Sequence, residues 1–193
     1  MPEKQNTGQF AKVIVTDAGR DMIVKSQNGQ TLKFTRVTLG DGLVGEHEDP
    51  TKFTAIKQEK FSCPIAKFNN LGNGQFELQF RVSNQEINEG FWHREIGVMA
   101  KIDEGSEQLY AYTTAGNKAS FIYDKTTPVE ERVVNVIFVI GNAQNIKVEI
   151  RNSIVYVTLK DLAAVEKKFD DRLRIFDKET DITAKSSFTI ELS

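Results

Sequence analysis

Two histidines, His47 and His93, and one cysteine, Cys63, are the side chains of this sequence best suited to general-base, nucleophilic or metal chemistry near neutral pH. Each lacks the company such work needs. Neither histidine stands in a CxxC, HExxH or HxxxH spacing, so no metal-ligand set assembles around it. His93, between Trp92 and Arg94, reads as a hydrogen-bonded ring on a strand, since a catalytic histidine has an identifiable partner. His47 lies in the acidic run Glu46-His47-Glu48-Asp49, which reads as a solvated loop, with a weak surface cation site as the alternative. Cys63, alone, reads as a reduced structural thiol. Gly40-Asp41-Gly42 with Gly45 has neither the GK[ST] of a phosphate loop nor a GxGxxG fingerprint, and reads as a tight turn in which glycine supplies positive φ. No serine has a GxSxG context, and the carboxylate pairs Glu130-Glu131 and Asp170-Asp171 read as surface features. The expectation is a chain with no catalytic residue, no metal site and no cofactor, and so not an enzyme.

The bulk properties agree with a binding or structural role. A length of 193 residues is enough for one good-sized domain with a short appended element. Lys and Arg total 25 against 27 Asp and Glu, and no basic run stands out, which argues against a nucleic-acid partner. The longest apolar stretch, Val133 to Ile140, is interrupted by Asn135 and falls far short of the roughly 20 residues of a spanning helix, so no membrane partner is expected. Met1 to Gln9 has no apolar centre of a secretory signal, and folding in the cytoplasm is the expectation.

The elements that would carry these residues are legible in outline. Thr16 to Gln27 predicts a helix capped by Thr16 or Asp17, with Ala18, Met22 and Ile23 on one face, stopped by Asn28-Gly29. Gln30 to Leu39 predicts a strand with Leu32, Phe34 and Arg36 on one side and Lys33, Thr35 and Val37 on the other. Thr54 to Ile65 is ambiguous because of Pro64. Phe76, Leu78, Phe80 and Val82 alternate with Gln75, Glu77, Gln79 and Arg81 as in a half-buried strand. Further strands are predicted at Phe91–Ile102, Gln108–Thr114, Arg132–Ile140 and Asn145–Val157, with short connections that favour antiparallel pairing. After Thr158, Leu162, Val165, Phe169, Leu173 and Phe176 recur at spacings of three and four, an apolar helical stripe that packs either within the chain or against other copies. Phe188 to Leu192 alternates as a short strand. The predicted class is α+β: a mainly antiparallel β domain over residues 1–158 with an N-terminal helix, and a C-terminal amphipathic helix and short tail over 159–193 for oligomerisation or connection.

The most distinctive local stretch is Gly90-Phe91-Trp92-His93-Arg94-Glu95-Ile96-Gly97-Val98, which places opposite charges inside an apolar strand. On one strand Arg94 and Glu95 face opposite sides, so each needs a partner elsewhere, either within the chain or at a subunit contact in which Trp92 would join them.

Taken with Val15-Thr16-Asp17-Ala18-Gly19-Arg20, Leu39-Gly40-Asp41-Gly42, Pro50-Thr51 and Glu59, and followed by Leu109-Tyr110-Ala111-Tyr112 and Ser153 to Thr158, this stretch resembles the phage tail-collar fibre family over about Phe10 to Thr158. The resemblance implies an attachment module at the baseplate of a contractile tail, of a phage or a phage-like particle, commonly a homotrimer, with baseplate proteins and a distal tail-fibre protein as partners. It implies no catalytic residues. Members commonly continue into a long shaft and a receptor-binding tip, whereas here a helix and a short tail come next, so an adaptor or short fibre base is expected. The alternative is a receptor-binding protein whose Trp92, Tyr110, Tyr112 or Tyr123 stack on cell-surface carbohydrate.

Overall fold

A computed structural model describes residues 9–140, 146–149 and 167. The chain divides into two units, Met1–Ser153 and Ile154–Ser193, and every strand and helix described belongs to the first. The apolar stripe Leu162, Val165, Phe169, Leu173 and Phe176 and the alternating segment 188–192 lie outside the described residues.

In chain order the elements are β1 (Ile14–Val15), α1 (Asp17–Gln27), β2 (Leu32–Gly40), β3 (Glu59–Gly72), β4 (Gln75–Ser83), β5 (Phe91–His93), β6 (Glu95–Ile102), β7 (Gln108–Thr114), β8 (Ser120–Ile122), β9 (Glu131–Val139) and β10 (Ile146–Val148). Hydrogen bonding sets the sheet order β1-β7-β6-β2-β3-β4-β9, with β10 parallel to the first residues of β2, while β5 and β8 form a separate two-stranded ribbon. The α+β expectation is therefore corrected: the described residues form a mainly antiparallel β domain with a single α-helix of 11 residues. The reason lies in the pattern, because period-two apolar alternation with Asn/Gly turns fills the described chain and α1 alone carries a helical stripe.

The sheet curls so that its two ends share one core. Phe34 of β2 meets Tyr110 of β7 at 4.9 Å, Phe68 of β3 at 5.5 Å and Phe138 of β9 at 5.4 Å between ring centroids. Tyr110 and Phe138, from strands near opposite ends of the sheet order, are 5.6 Å apart. The corner is made by β3: Glu59 to Pro64 pairs with β2, and Ile65 onward pairs with β4. Pro64 stands at the change of partner, where the amide proton it lacks leaves no gap in a continuous ladder. This resolves the ambiguity of Thr54 to Ile65.

Bulges set which residues face inward. Phe34 pairs with Ala100 and Arg36 with Met99, so Thr35 is an extra residue and the alternation of β2 slips by one. Leu32, Phe34, Val37 and Leu39 thus all enter the core, and Arg36 turns out to bond Glu59 and Glu107, each at 2.9 Å. The sequence expectation for Val37 and Arg36 is reversed for that reason. A second bulge at Tyr110 offsets β7 against β6.

Helix α1 docks against that second bulge. Thr16 caps it, accepting from Gly19 N at 3.0 Å, while its hydroxyl donates to the Leu109 carbonyl and its amide to the Tyr110 carbonyl at 3.0 Å. A Cβ built on Gly19 would stand 2.2 Å from the Tyr110 carbonyl oxygen. Glycine is needed here for close approach. In an exposed helix Gly→Ala stabilises by about 1 kcal/mol; Gly19→Ala is expected to do the opposite, lowering stability in urea unfolding by about 1–3 kcal/mol through overpacking.

Candidate functional site

The Gly90–Val98 stretch is not one strand. It breaks at Arg94, whose amide donates to the Gly40 carbonyl at 2.9 Å and whose carbonyl accepts from Ala115 N at 2.8 Å. Before the break β5 pairs with β8 (Trp92 opposite Phe121), and after it β6 runs between β2 and β7. The predicted single strand Phe91–Ile102 is corrected accordingly, and β8, only three residues long, has too short a pattern to show in sequence.

Glu95 opens β6 and is fully buried, at 0% exposure. One carboxylate oxygen accepts from Gly42 N at 2.8 Å and Gln58 N at 3.0 Å, and the other from Lys57 N and the Tyr112 hydroxyl, both at 2.9 Å. Burying a charge of this kind costs several kcal/mol unless hydrogen bonds replace water, and here each oxygen has two donors. The bonds tie down the strap Asp41–Gln58, a segment without sheet structure whose Val44, Phe53 and Ile56 cover Met99, Leu109 and Tyr112 on the far face of the sheet. Burial beside the Glu95 carboxylate pushes the Tyr112 hydroxyl pKa up.

The glycines of Gly40-Asp41-Gly42 follow from this carboxylate. Neither has positive φ, contrary to the tight-turn expectation. A Cβ on either would lie 2.5 Å from Glu95 Oε2. Between them Asp41 takes the Arg94 guanidinium in an ion pair, and that guanidinium lies 5.6 Å from the centroid of the Trp92 ring. Arg94 and Glu95, expected to find partners within the chain or across an interface, both have them within the chain.

His93 faces inward, 3% exposed, with its ring 4.9 Å edge-on to Phe10 and its Nε2 without a hydrogen-bond partner. Burial, with the Arg132 charge second, lowers its pKa to about 3, so the ring is neutral at physiological pH. Cys63 is likewise buried, its pKa pushed up to about 12 by desolvation, which leaves it without thiolate character. His47 lies in the strap beside Glu48, which bonds Lys57 and Gly45 N. Among the described residues no three His, Cys, Asp or Glu side chains group as metal ligands.

What the stretch presents outward is aromatic. Trp92, 45% exposed, meets Phe121 edge-on at 5.4 Å, and Phe121 meets Tyr123 at 5.2 Å, so three rings run along the outer face of the β5–β8 ribbon. Phe91 and Ile122 on the inner face join the core. Gly90 permits this, because a Cβ there would meet the Phe121 ring at 2.8 Å. Of the interface residues expected from sequence, Trp92 is at the surface, Arg94 is half-buried beneath it, and Glu95 is inside. Leu162, Val165, Phe169, Leu173 and Phe176 lie outside the described residues. Tyr123, expected as an exposed ring only in the carbohydrate-binding reading, joins this row, and Phe121 was missed because the three residues of β8 are too short a pattern to show it.

Replacing Glu95 by Gln keeps the shape but puts an NH2 group against backbone donors; a loss of roughly 2–4 kcal/mol in denaturant unfolding is expected. Gly42→Ala should lose a comparable amount, and Tyr112→Phe about 1 kcal/mol. For His93, the unfolded ring binds a proton near pH 6.5 while the folded ring does not until about pH 3. Its contribution is therefore fully present above pH 6.5 and falls as pH drops toward 3, by up to about 1.4 kcal/mol per unit. Urea midpoints measured from pH 7 to 4 should fall less steeply for His93→Gln than for the unmodified chain.

Comparison with curated proteins gives no match, and comparison with solved structures gives none. A family model described as phage tail-collar fibre protein, N-terminal, matches residues 8–160, a span that takes in α1 and all the strands from β1 to β10. The Thr16 cap, the Gly40–Gly42 and Glu95 clamp and the aromatic ribbon are thus features of a chain that belongs to the phage tail-collar fibre family and serves as a structural component of the virion tail.

Proposed function

We propose that this domain is the attachment end of a tail fibre, docking on a baseplate protein of a contractile tail and acting as an adaptor or short fibre base. It works by presenting surfaces, with no bond made or broken. Three copies associate through the C-terminal segment, which also joins a separately encoded distal fibre, and assembly takes place in the host cytoplasm. The observation that carries the reading, beside the family, is the division of labour in Gly90–Val98: its ionisable groups are engaged or buried inside, while its one exposed ring, Trp92, heads an aromatic row. Trp, Tyr and Arg are the residues on which interface energy concentrates.

The carbohydrate-binding alternative loses two of its four candidate rings, because Tyr110 and Tyr112 are buried at 0% and 1% exposure. The remaining row is edge-on at both contacts, at 76° and 71°, rather than a flat platform for a sugar face.

Pull-down of the full chain against the particle's baseplate proteins should retain one of them. Trp92→Ala should weaken that binding about 30-fold or more, the hot-spot scale of roughly 2 kcal/mol, with the unfolding midpoint unchanged. Retention of full affinity by Trp92→Ala and Tyr123→Ala together would remove the ribbon from the contact, and glycan-array binding lost on the same changes would favour the receptor reading. Release of reducing sugar or peptide from host envelope would mark an enzyme.

A further inference from the structure

His93 carries a polar atom that the rest of the domain does not serve. Its ring is buried, and Nε2 has no hydrogen-bond partner among the described residues. Buried polar atoms are nearly always bonded, so an orphan of this kind calls for a cause. The elements about the ring differ in how firmly they are held. On β5 it stands opposite Ser120 of β8. Arg132, at the start of β9, bonds Glu130, the Ser120 hydroxyl and the Phe121 carbonyl, which fixes its charge near the ring. Arg94, next along the chain, is paired with Asp41. Residues 9–13, in contrast, belong to no strand or helix. Phe10 lies edge-on to the His93 ring, and Phe10 and Val13 pack on the main core. Ala11 N donates to the Thr114 carbonyl at 2.9 Å, the Ala11 carbonyl accepts from the Thr113 hydroxyl at 2.8 Å, and Gln9 N reaches the Lys118 carbonyl at 3.4 Å. Lys12, the charged residue of the segment, is exposed. Beyond Val13 the chain is anchored by β1 on β7 and by the Thr16 cap.

We propose that residues 9–13 form a latch over His93, and that proton uptake by the ring opens this latch while the sheet stays intact. A neutral ring tolerates the apolar cover of Phe10, whereas an imidazolium needs water or an acceptor at both nitrogens. Lifting Phe10 is the smallest movement that admits water, because the other neighbours are strands of paired sheets. With the latch closed, burial and the Arg132 charge hold the ring pKa down to about 3; with it open, the ring titrates near the ordinary value of about 6.5. Above pH 6.5 the opening equilibrium is therefore flat, and below it each pH unit favours opening about tenfold until pH 3. From pH 7 to pH 5 the open fraction rises about 25-fold.

The test uses the full chain alone, so its outcome is independent of baseplate binding. Protection of the Ala11 amide against hydrogen exchange, taken relative to the free-peptide rate at each pH, should fall about 25-fold between pH 7 and pH 5. In His93→Gln it should not change with pH. The opening exposes little surface, so low urea should barely alter Ala11 exchange, whereas Val98, paired on both sides in the middle of β6, should show the full urea dependence of global unfolding. Phe10→Ala should lower Ala11 protection at pH 7 by about tenfold or more. Ala11 protection that ignores pH, an equal fall in His93→Gln, a urea dependence matching that of Val98, or unchanged protection in Phe10→Ala would overturn the proposal.

Discussion

A single buried carboxylate holds the two faces of this domain in place. Glu95 gathers donors from three separate stretches, the start of the strap at Gly42, its end at Lys57 and Gln58, and the ring of Tyr112 on β7. Without it, three backbone amides and a hydroxyl would lose their acceptor inside the protein, each at a cost of about 1–3 kcal/mol. The small apolar cluster of Ile56, Met99, Leu109 and Tyr112 depends on the strap staying down, and the absence of a Cβ at positions 40 and 42 makes room for the anchoring group. A well-packed apolar replacement could be as stable in principle, so the carboxylate's advantage lies in fixing one route for an otherwise irregular segment.

The break at Arg94 gives the motif two orientations. Phe91 and His93 turn inward on the ribbon, Trp92 turns outward, and one residue later Glu95 begins a central strand. Arg94 serves both sides, with its backbone bridging to Gly40 and Ala115 and its guanidinium joining Asp41 to the Trp92 ring. The exposed ring is thus held by the same contacts that hold the strap.

Much of this was legible in the residues. The capped helix from Thr16, the alternation of β4 and the extent of β7 are local patterns, and they survive in the fold because nothing long-range opposes them. The errors share one cause. Thr35, Pro64 and Arg94 are places where a strand changes partner or register, and those changes are set by neighbours distant in sequence. The need of Glu95 for a partner was readable from its apolar surroundings. Its actual partners were not, because backbone amides of an irregular segment carry no side-chain signature. Gly40 and Gly42 were noticed for the wrong property: the requirement is volume, and volume depends on a residue more than fifty positions away.

The wide separation of paired segments governs how the domain can form. The Thr16 hydroxyl reaches across 93 residues to Leu109, and β10 at Ile146 completes the flank of β2 at Leu32. The first helix therefore has no docking surface until β7 has left the ribosome, and β2 has no neighbour on that flank until β10 emerges. High contact order of this kind makes for slow folding. The nascent chain exposes an apolar helix face and open strands until residue 148 has emerged, and only then can the described sheet close.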